Sequence, residues 1–202
     1  MRVILARHGD TENTDGKLHG ATNEPLSSKG RQESYKLAQE LKQYNPNKIY
    51  TSPVRRAKET AQIISDELGI PIEEAPELEC WNNGDLEGKD MKSHMDDVRY
   101  YLTHPDEAPP NGESINDFAE RFLPFFEEGF RDNARDTVID LTHGRNILLA
   151  KGYIKKGNLA PDFDLNALTN NSATTDHSGY AIATPPSSFR IVTPVAVAHG
   201  RS

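Results

Sequence analysis

Residues 3–6, Val-Ile-Leu-Ala, form an unbroken apolar run that ends abruptly at Arg7-His8-Gly9. A strand with one wet face alternates apolar and polar side chains. An unalternated run predicts a strand covered on both faces, the condition met inside a parallel sheet. The segments after it have the rhythm such a sheet requires. A polar loop of about twenty residues leads to a helix over Ser28–Tyr44, with Leu37, Leu41 and Tyr44 on one face. Lys48–Ser52 reads as a short strand. Pro53 then suits the first position of a second helix, in which Val54, Ala57, Ala61, Ile64 and Leu68 step by three and four until Gly69 ends it.

Residues 79–90 read as a loop and Met91–Thr103 as helical, before Pro105, Pro109, Pro110 and Gly112 break the chain. Ile115, Phe118, Phe122, Phe125 and Phe126 make a heavy apolar stripe that Pro124 is expected to kink or split. Thr137–Thr142 is a strand despite Asp140 in its middle, and Gly144–Gly152 is helical. Residues 155–188 form a loop-rich excursion, and Arg190–Ala198 a last strand that Pro194 assigns to an edge. No repeat or linker divides the chain, so residues 1–202 read as one α/β domain. Its architecture is a three-layer α/β/α sandwich around a mostly parallel sheet. Ligands in such folds bind at the carboxyl ends of the strands.

Charge sharpens this expectation. The formal net charge is −8, so there is no general basic footprint for nucleic acid. An anionic ligand would need a local cluster of Arg and His working against the overall field. The single cysteine, Cys80, excludes an intrachain disulfide and makes a reducing compartment the default. The opening MRVILARHGD is too short in apolar residues for a signal peptide, and no run approaches a membrane span, so a cytoplasmic protein is expected.

Three strand ends carry the reactive residue types: Arg7-His8-Gly9, then Ser52 to Arg56, then Thr142-His143-Gly144. Between them stand Leu18-His19-Gly20, Pro25-Leu26-Ser27-Ser28-Lys29-Gly30 and Ser52-Pro53-Val54-Arg55-Arg56-Ala57-Lys58-Glu59-Thr60-Ala61. Gly112-Glu113-Ser114 comes later. In this order, over roughly residues 2–150, the chain resembles the histidine phosphatase superfamily, whose members include phosphoglycerate mutases and small phosphatases. The resemblance implies a phosphoglycerate mutase-like fold, His8 as a covalent nucleophile, and Arg7, Arg56 and His143 as donors around the phosphoryl group. Gly20, Gly144 and, less strongly patterned, Asn13 and Thr14 would contact substrate.

The chemistry agrees with those roles. A nucleophilic imidazole must be neutral, and neighbouring cations favour the neutral form. Guanidinium forks match phosphoryl oxygens and balance their charge, so neither metal nor organic cofactor is implied. His199-Gly200 after Val195–Ala198 rivals His143, but an apparent helix follows His143 while His199 lies near the end of the sequence. Arg55 reads as a surface cation, and His19, His94, His104 and His177 as solvated.

The chain departs from the family pattern at the general acid. Members carry Glu four residues before the first glycine of a Gly-x-x-x-Gly segment. Here the segment is Gly84-Asp85-Leu86-Glu87-Gly88, and that position is Cys80. Glu79, one residue away, is the chosen candidate, with Asp85, Glu87 and Glu113 as alternatives.

The reading is a metal-independent phosphomonoesterase working through phospho-His8. Its substrate would be a small phosphorylated metabolite or a phosphoprotein, with no nucleic-acid or membrane partner, and homodimer formation is left open. A phosphomutase and a non-catalytic binder of phosphorylated ligands are the alternatives.

Overall fold

The computed structural model describes residues 2–12, 16–129, 137–156 and 180–183. Five strands form one sheet: β1 (Arg2–Arg7), β2 (Lys48–Thr51), β3 (Ile72–Glu74), β4 (Thr137–Thr142) and β5 (Tyr180–Ala183). Their spatial order is β3-β2-β4-β1-β5. The first four are mutually parallel, and β5 pairs antiparallel with β1 at the edge. The helices are α1 (Ser28–Leu41), α2 (Arg55–Leu68), α3 (Met95–Thr103), α4 (Ile115–Glu128) and α5 (Gly144–Lys156).

The unalternated run in β1 follows from its position. Val3 and Leu5 point into one core with Val138, Trp81, Phe118, Phe122 and Phe126. Ile4 and Ala6 point the other way, into a core with Ile139, Leu141, Ala57, Ala61 and Ile64. Both faces are covered, so no position on the strand has a solvated side to give a polar residue.

The helix borders follow local chemistry. Ser27 caps α1, its hydroxyl accepting from the Gly30 N–H at 3.0 Å. Ser114 and Asp117 form a reciprocal capping box at the start of α4. Pro124 does not split α4: the helix runs on to Glu128. Pro124 is exposed, so the carbonyl it leaves unbonded one turn earlier can face water. The Phe118, Phe122 and Phe126 rings remain stacked in series at 6.3 and 5.8 Å.

Other expectations shift. Pro53 lies two residues before the start of α2, whose N-cap is Val54. Met91 to His94 form turns before α3, and α5 continues past Gly152 to Lys156. Strand β3 was not expected. Strand β5 falls within residues 155–188, which were expected to be loops. The expected strand Arg190–Ala198 and His199 lie outside the described residues.

Candidate active site

Strand register builds the site. Arg7 pairs with Thr142 across β1 and β4, and the His8 N–H continues the ladder by donating to the Thr142 carbonyl at 3.2 Å. The next rung therefore sets His8 beside His143, with ring centroids 5.1 Å apart. On the other side of β4, the Ser52 N–H donates to the Leu141 carbonyl at 2.9 Å. Three residues from three distant segments thus share one rim because three parallel strands end together.

The loop after His8 is fixed by two glycines in close approach. A Cβ on Gly9 would lie 2.4 Å from the Gly30 carbonyl oxygen, and one on Gly30 would lie 1.9 Å from that of Asp10. Only bare backbone fits there. Asp10 accepts from the Ser27 hydroxyl at 2.7 Å, and the Gly9 N–H donates to the Thr60 hydroxyl at 3.2 Å. The nucleophile loop is thereby pinned to the start of α1 and to the second turn of α2.

Arg56, in the first turn of α2, reaches across this rim and is 4% exposed. Its Nε donates to His8 Nε2 at 3.0 Å, Nη1 to the Thr22 carbonyl at 2.8 Å, and Nη2 to the Gly20 carbonyl at 2.7 Å. Nη2 also lies 3.2 Å from His143 Nδ1 and 3.7 Å from Cys80 Sγ. A guanidinium can only donate. This fixes both imidazole tautomers. His8 Nε2 presents a lone pair while its Nδ1–H donates to the Gly9 carbonyl at 2.7 Å. His143 Nδ1 accepts while its Nε2–H donates to the Ser52 hydroxyl at 2.9 Å.

Electrostatics agrees with the geometry. Burial, then Arg56, then Arg7 hold the His8 pKa well below the ordinary value; burial and Arg56 do the same for His143. Both rings are neutral near pH 7. Arg7 lies against Gly144: its Cζ is 3.8 Å from where a Cβ on that glycine would stand.

The structure therefore brings His8, Arg7, Arg56, His143, Gly20 and Gly144 together. Asn13 and Thr14 lie outside the described residues. Glu79 is half-buried, and among the described residues it hydrogen-bonds only through its backbone: its carbonyl accepts from Arg121 Nη1 at 3.3 Å and Asn146 Nδ2 at 3.0 Å. Cys80 is the residue beside Arg56, and burial raises its thiol pKa to about 11. The other carboxylates have partners: Asp85 accepts from Asn111 Nδ2, Glu87 from the Ala21 N–H, and Glu113 from Arg121.

The sequence reading missed Ser52 and Thr60 as supports, and it misjudged His19. That ring is half-buried, 3.4 Å from the Thr22 hydroxyl and 3.9 Å from the Glu24 carboxylate. Arg55 is the surface cation expected, paired with Glu59 at 2.8 Å.

Residues 3–183 match the family model of the histidine phosphatase superfamily (branch 1). The chain belongs to the histidine phosphatase superfamily. Among its curated relatives, the uncharacterized phosphatase PhoE of Bacillus subtilis is 30% identical over 169 residues, covering 83% of each chain. A phosphoglycerate mutase of Schizosaccharomyces pombe is 37% identical over 136 residues, 62% of this chain and 64% of the relative. The alpha-ribazole phosphatase from Shigella flexneri shares the fold, with a TM-score of 0.75 over 96% of both chains at 21% identity. Relatives that are phosphatases support a histidine phosphatase that hydrolyses phosphate esters. No helix among the described residues is long and apolar enough to cross a membrane.

Proposed function

We propose that the protein is a metal-independent phosphomonoesterase that works through a phosphohistidine on His8. One observation carries the reading. The Nε2 lone pair of a neutral imidazole faces a guanidinium, at a strand end where a second neutral histidine and Arg7 also converge. A structural histidine has no need of that company.

In the first step His8 Nε2 attacks phosphorus. The new nitrogen–phosphorus bond forms as the ester oxygen departs with its electron pair and takes up a proton. The incoming phosphoryl oxygens replace His8 and His143 as acceptors of the Arg56 N–H groups, and each well-placed donor is worth about 3–4 kcal/mol at the barrier. The Nδ1–H bond to Gly9 keeps the ring oriented and helps carry the positive charge it gains. Water then attacks phosphorus and gives a proton to the carboxylate that protonated the ester oxygen, the nitrogen–phosphorus bond breaks with its electron pair returning to His8 Nε2, and inorganic phosphate leaves.

The departing oxygen would lie on the Cys80 side of the cleft. A thiol with a pKa of about 11 is a poor acid at neutral pH. Glu79 and Glu87 both act electrostatically on Cys80, and Glu79 is the proposed proton donor, reached once substrate fills the cleft. The substrate would be a small phosphorylated metabolite or a phosphoprotein, in the cytoplasm.

The test is rapid-quench labelling with an aryl phosphate in EDTA. An acid-labile, base-stable phosphoryl group on the His8 peptide is expected. Turnover without that adduct would overturn the mechanism. The mutase reading draws on the 37% identity to the fission yeast enzyme. It predicts that phosphoglycerates interconvert faster than phosphate is released.

A further inference from the structure

Beside the phosphoryl centre lies a cation that the reaction above leaves unused. Arg145 stands two residues after His143, in the first turn of α5. Its guanidinium is stacked on the Trp81 ring, with Cζ 4.6 Å from the ring centroid. The plate beneath it is rigid: Trp81 is fully buried, and its indole N–H donates to the Glu113 carbonyl at 2.7 Å. Glu113 is held in turn by Arg121 at 2.7 Å.

Arg145 Nη1 is enclosed and has no hydrogen-bond partner among the described residues, and no ion pair joins Arg145 to a carboxylate there. Arginine stays charged when buried, so an unmatched guanidinium donor is costly to hold. Burial lowers its pKa to about 10, and Cys80 acts in the opposite direction. Cys80 is also the residue whose Sγ lies 3.7 Å from Arg56 Nη2. The Cys80–Trp81 segment therefore bridges two cations, one on the nucleophile and one whose Nη1 has no hydrogen-bond partner among the described residues. Next to Arg145, Asn146 donates from Nδ2 to the Glu79 carbonyl, yet its buried Oδ1 has no partner among the described residues. Buried polar atoms unsatisfied among the described residues, on the consecutive residues two and three places after His143, mark a place where a polar ligand completes the bonding.

We infer that Arg145 is a specificity residue that binds a second, compact anionic group on the leaving-group side of the substrate, a carboxylate or a further phosphoryl. The inference rests on the proposed function, since the first anion is the phosphoryl held at His8 and Arg56. The fork of Arg145 supplies charge-assisted bonds, and Trp81 fixes its plane.

Paired substrates differing by one group test it. O-phosphoserine and O-phosphoethanolamine differ only by the carboxylate, and 2,3-bisphosphoglycerate against 3-phosphoglycerate adds a phosphoryl. Wild-type protein is expected to prefer the more anionic member of at least one pair by about tenfold or more in kcat/KM. Which pair shows the preference tells carboxylate from phosphoryl. Arg145→Leu should collapse that ratio to near one, and Arg145→Lys should restore part of it. A wild-type ratio near one in both pairs overturns the inference, as does a ratio unchanged in Arg145→Leu. The wild-type arm needs no variant, so a variant that fails to fold leaves the inference testable. Calorimetric binding of the same pairs to His8→Ala requires no turnover. Selective binding without hydrolysis by wild type would refute the proposed reaction and keep the Arg145 subsite.

Discussion

The two sides of the candidate site are built on opposite rules. On the wall formed by the ends of β1, β2 and β4, donors and acceptors are matched: Arg56 has His8, Thr22 and Gly20, and His143 has Ser52. On the side formed by residues 80–81 and the start of α5, Arg145 and Asn146 keep buried polar atoms unmatched among the described residues. A matched network can be assembled and held without ligand, so it suits a phosphoryl group common to every substrate. An unmatched one is stabilised only by what binds. The contrast separates a general reaction centre from a selective surface.

The contrast can be broken experimentally, and the matched wall should break hardest. His8→Ala is expected to lower turnover of p-nitrophenyl phosphate by roughly a thousandfold or more while circular dichroism stays unchanged. Residual turnover within tenfold of wild type would remove His8 from the chemistry. Arg56→Gln should cost about a hundred- to a thousandfold in kcat. Arg56→Lys should recover little of this, because a point charge cannot serve His8, Thr22 and Gly20 at once.

The acid side should respond according to substrate. Glu79→Gln is expected to slow alkyl phosphates by roughly a hundredfold and aryl phosphates only slightly, since a phenolate departs without help. If Glu87→Gln shows that split and Glu79→Gln does not, the proton donor is Glu87.

The smallest effect on catalysis, and a large one on stability, should come from Asp140. It is 1% exposed in mid-β4, and burial raises its pKa from an ordinary 3.8 to about 7. A folded chain that keeps this proton up to pH 7, when the unfolded chain loses it near pH 4, binds more protons than the unfolded chain between those values. Stability therefore falls as pH rises from about 4 to about 7 and is flat above, by a total of about 4 kcal/mol from this group. Asp140→Val should remove the slope and raise Tm at pH 8, read by thermal melts across pH. A Tm unchanged at pH 8 would show the carboxyl is satisfied.

How much of this was legible depended on whether the signal was local. The β1 run and the α2 stepping report periodicity, which a string preserves, so the sandwich and its shared rim of strand ends could be read ahead, while the roles of His8, Arg7, Arg56 and His143 there were what the family resemblance implied. Ser52 as the partner of His143 depends on register between β2 and β4, which no string displays. Arg145 gives no signal in the sequence, because what distinguishes it is an Nη1 with no hydrogen-bond partner among the described residues. Strand β5 is four residues set among polar ones, and its pairing with β1 is a tertiary choice. Pro124 misled because its effect depends on which face of α4 meets water.

The central ladder joins Arg2–Arg7 to Thr137–Thr142, stretches separated by most of the described chain. Closing so long a loop is entropically slow and must precede any meeting of the two imidazoles. Recovery of enzymatic turnover after dilution from denaturant should therefore coincide with the last structural phase of refolding, and amino-terminal fragments ending before residue 137 should have none. For this molecule, competence to react is a clock on the completion of its own assembly.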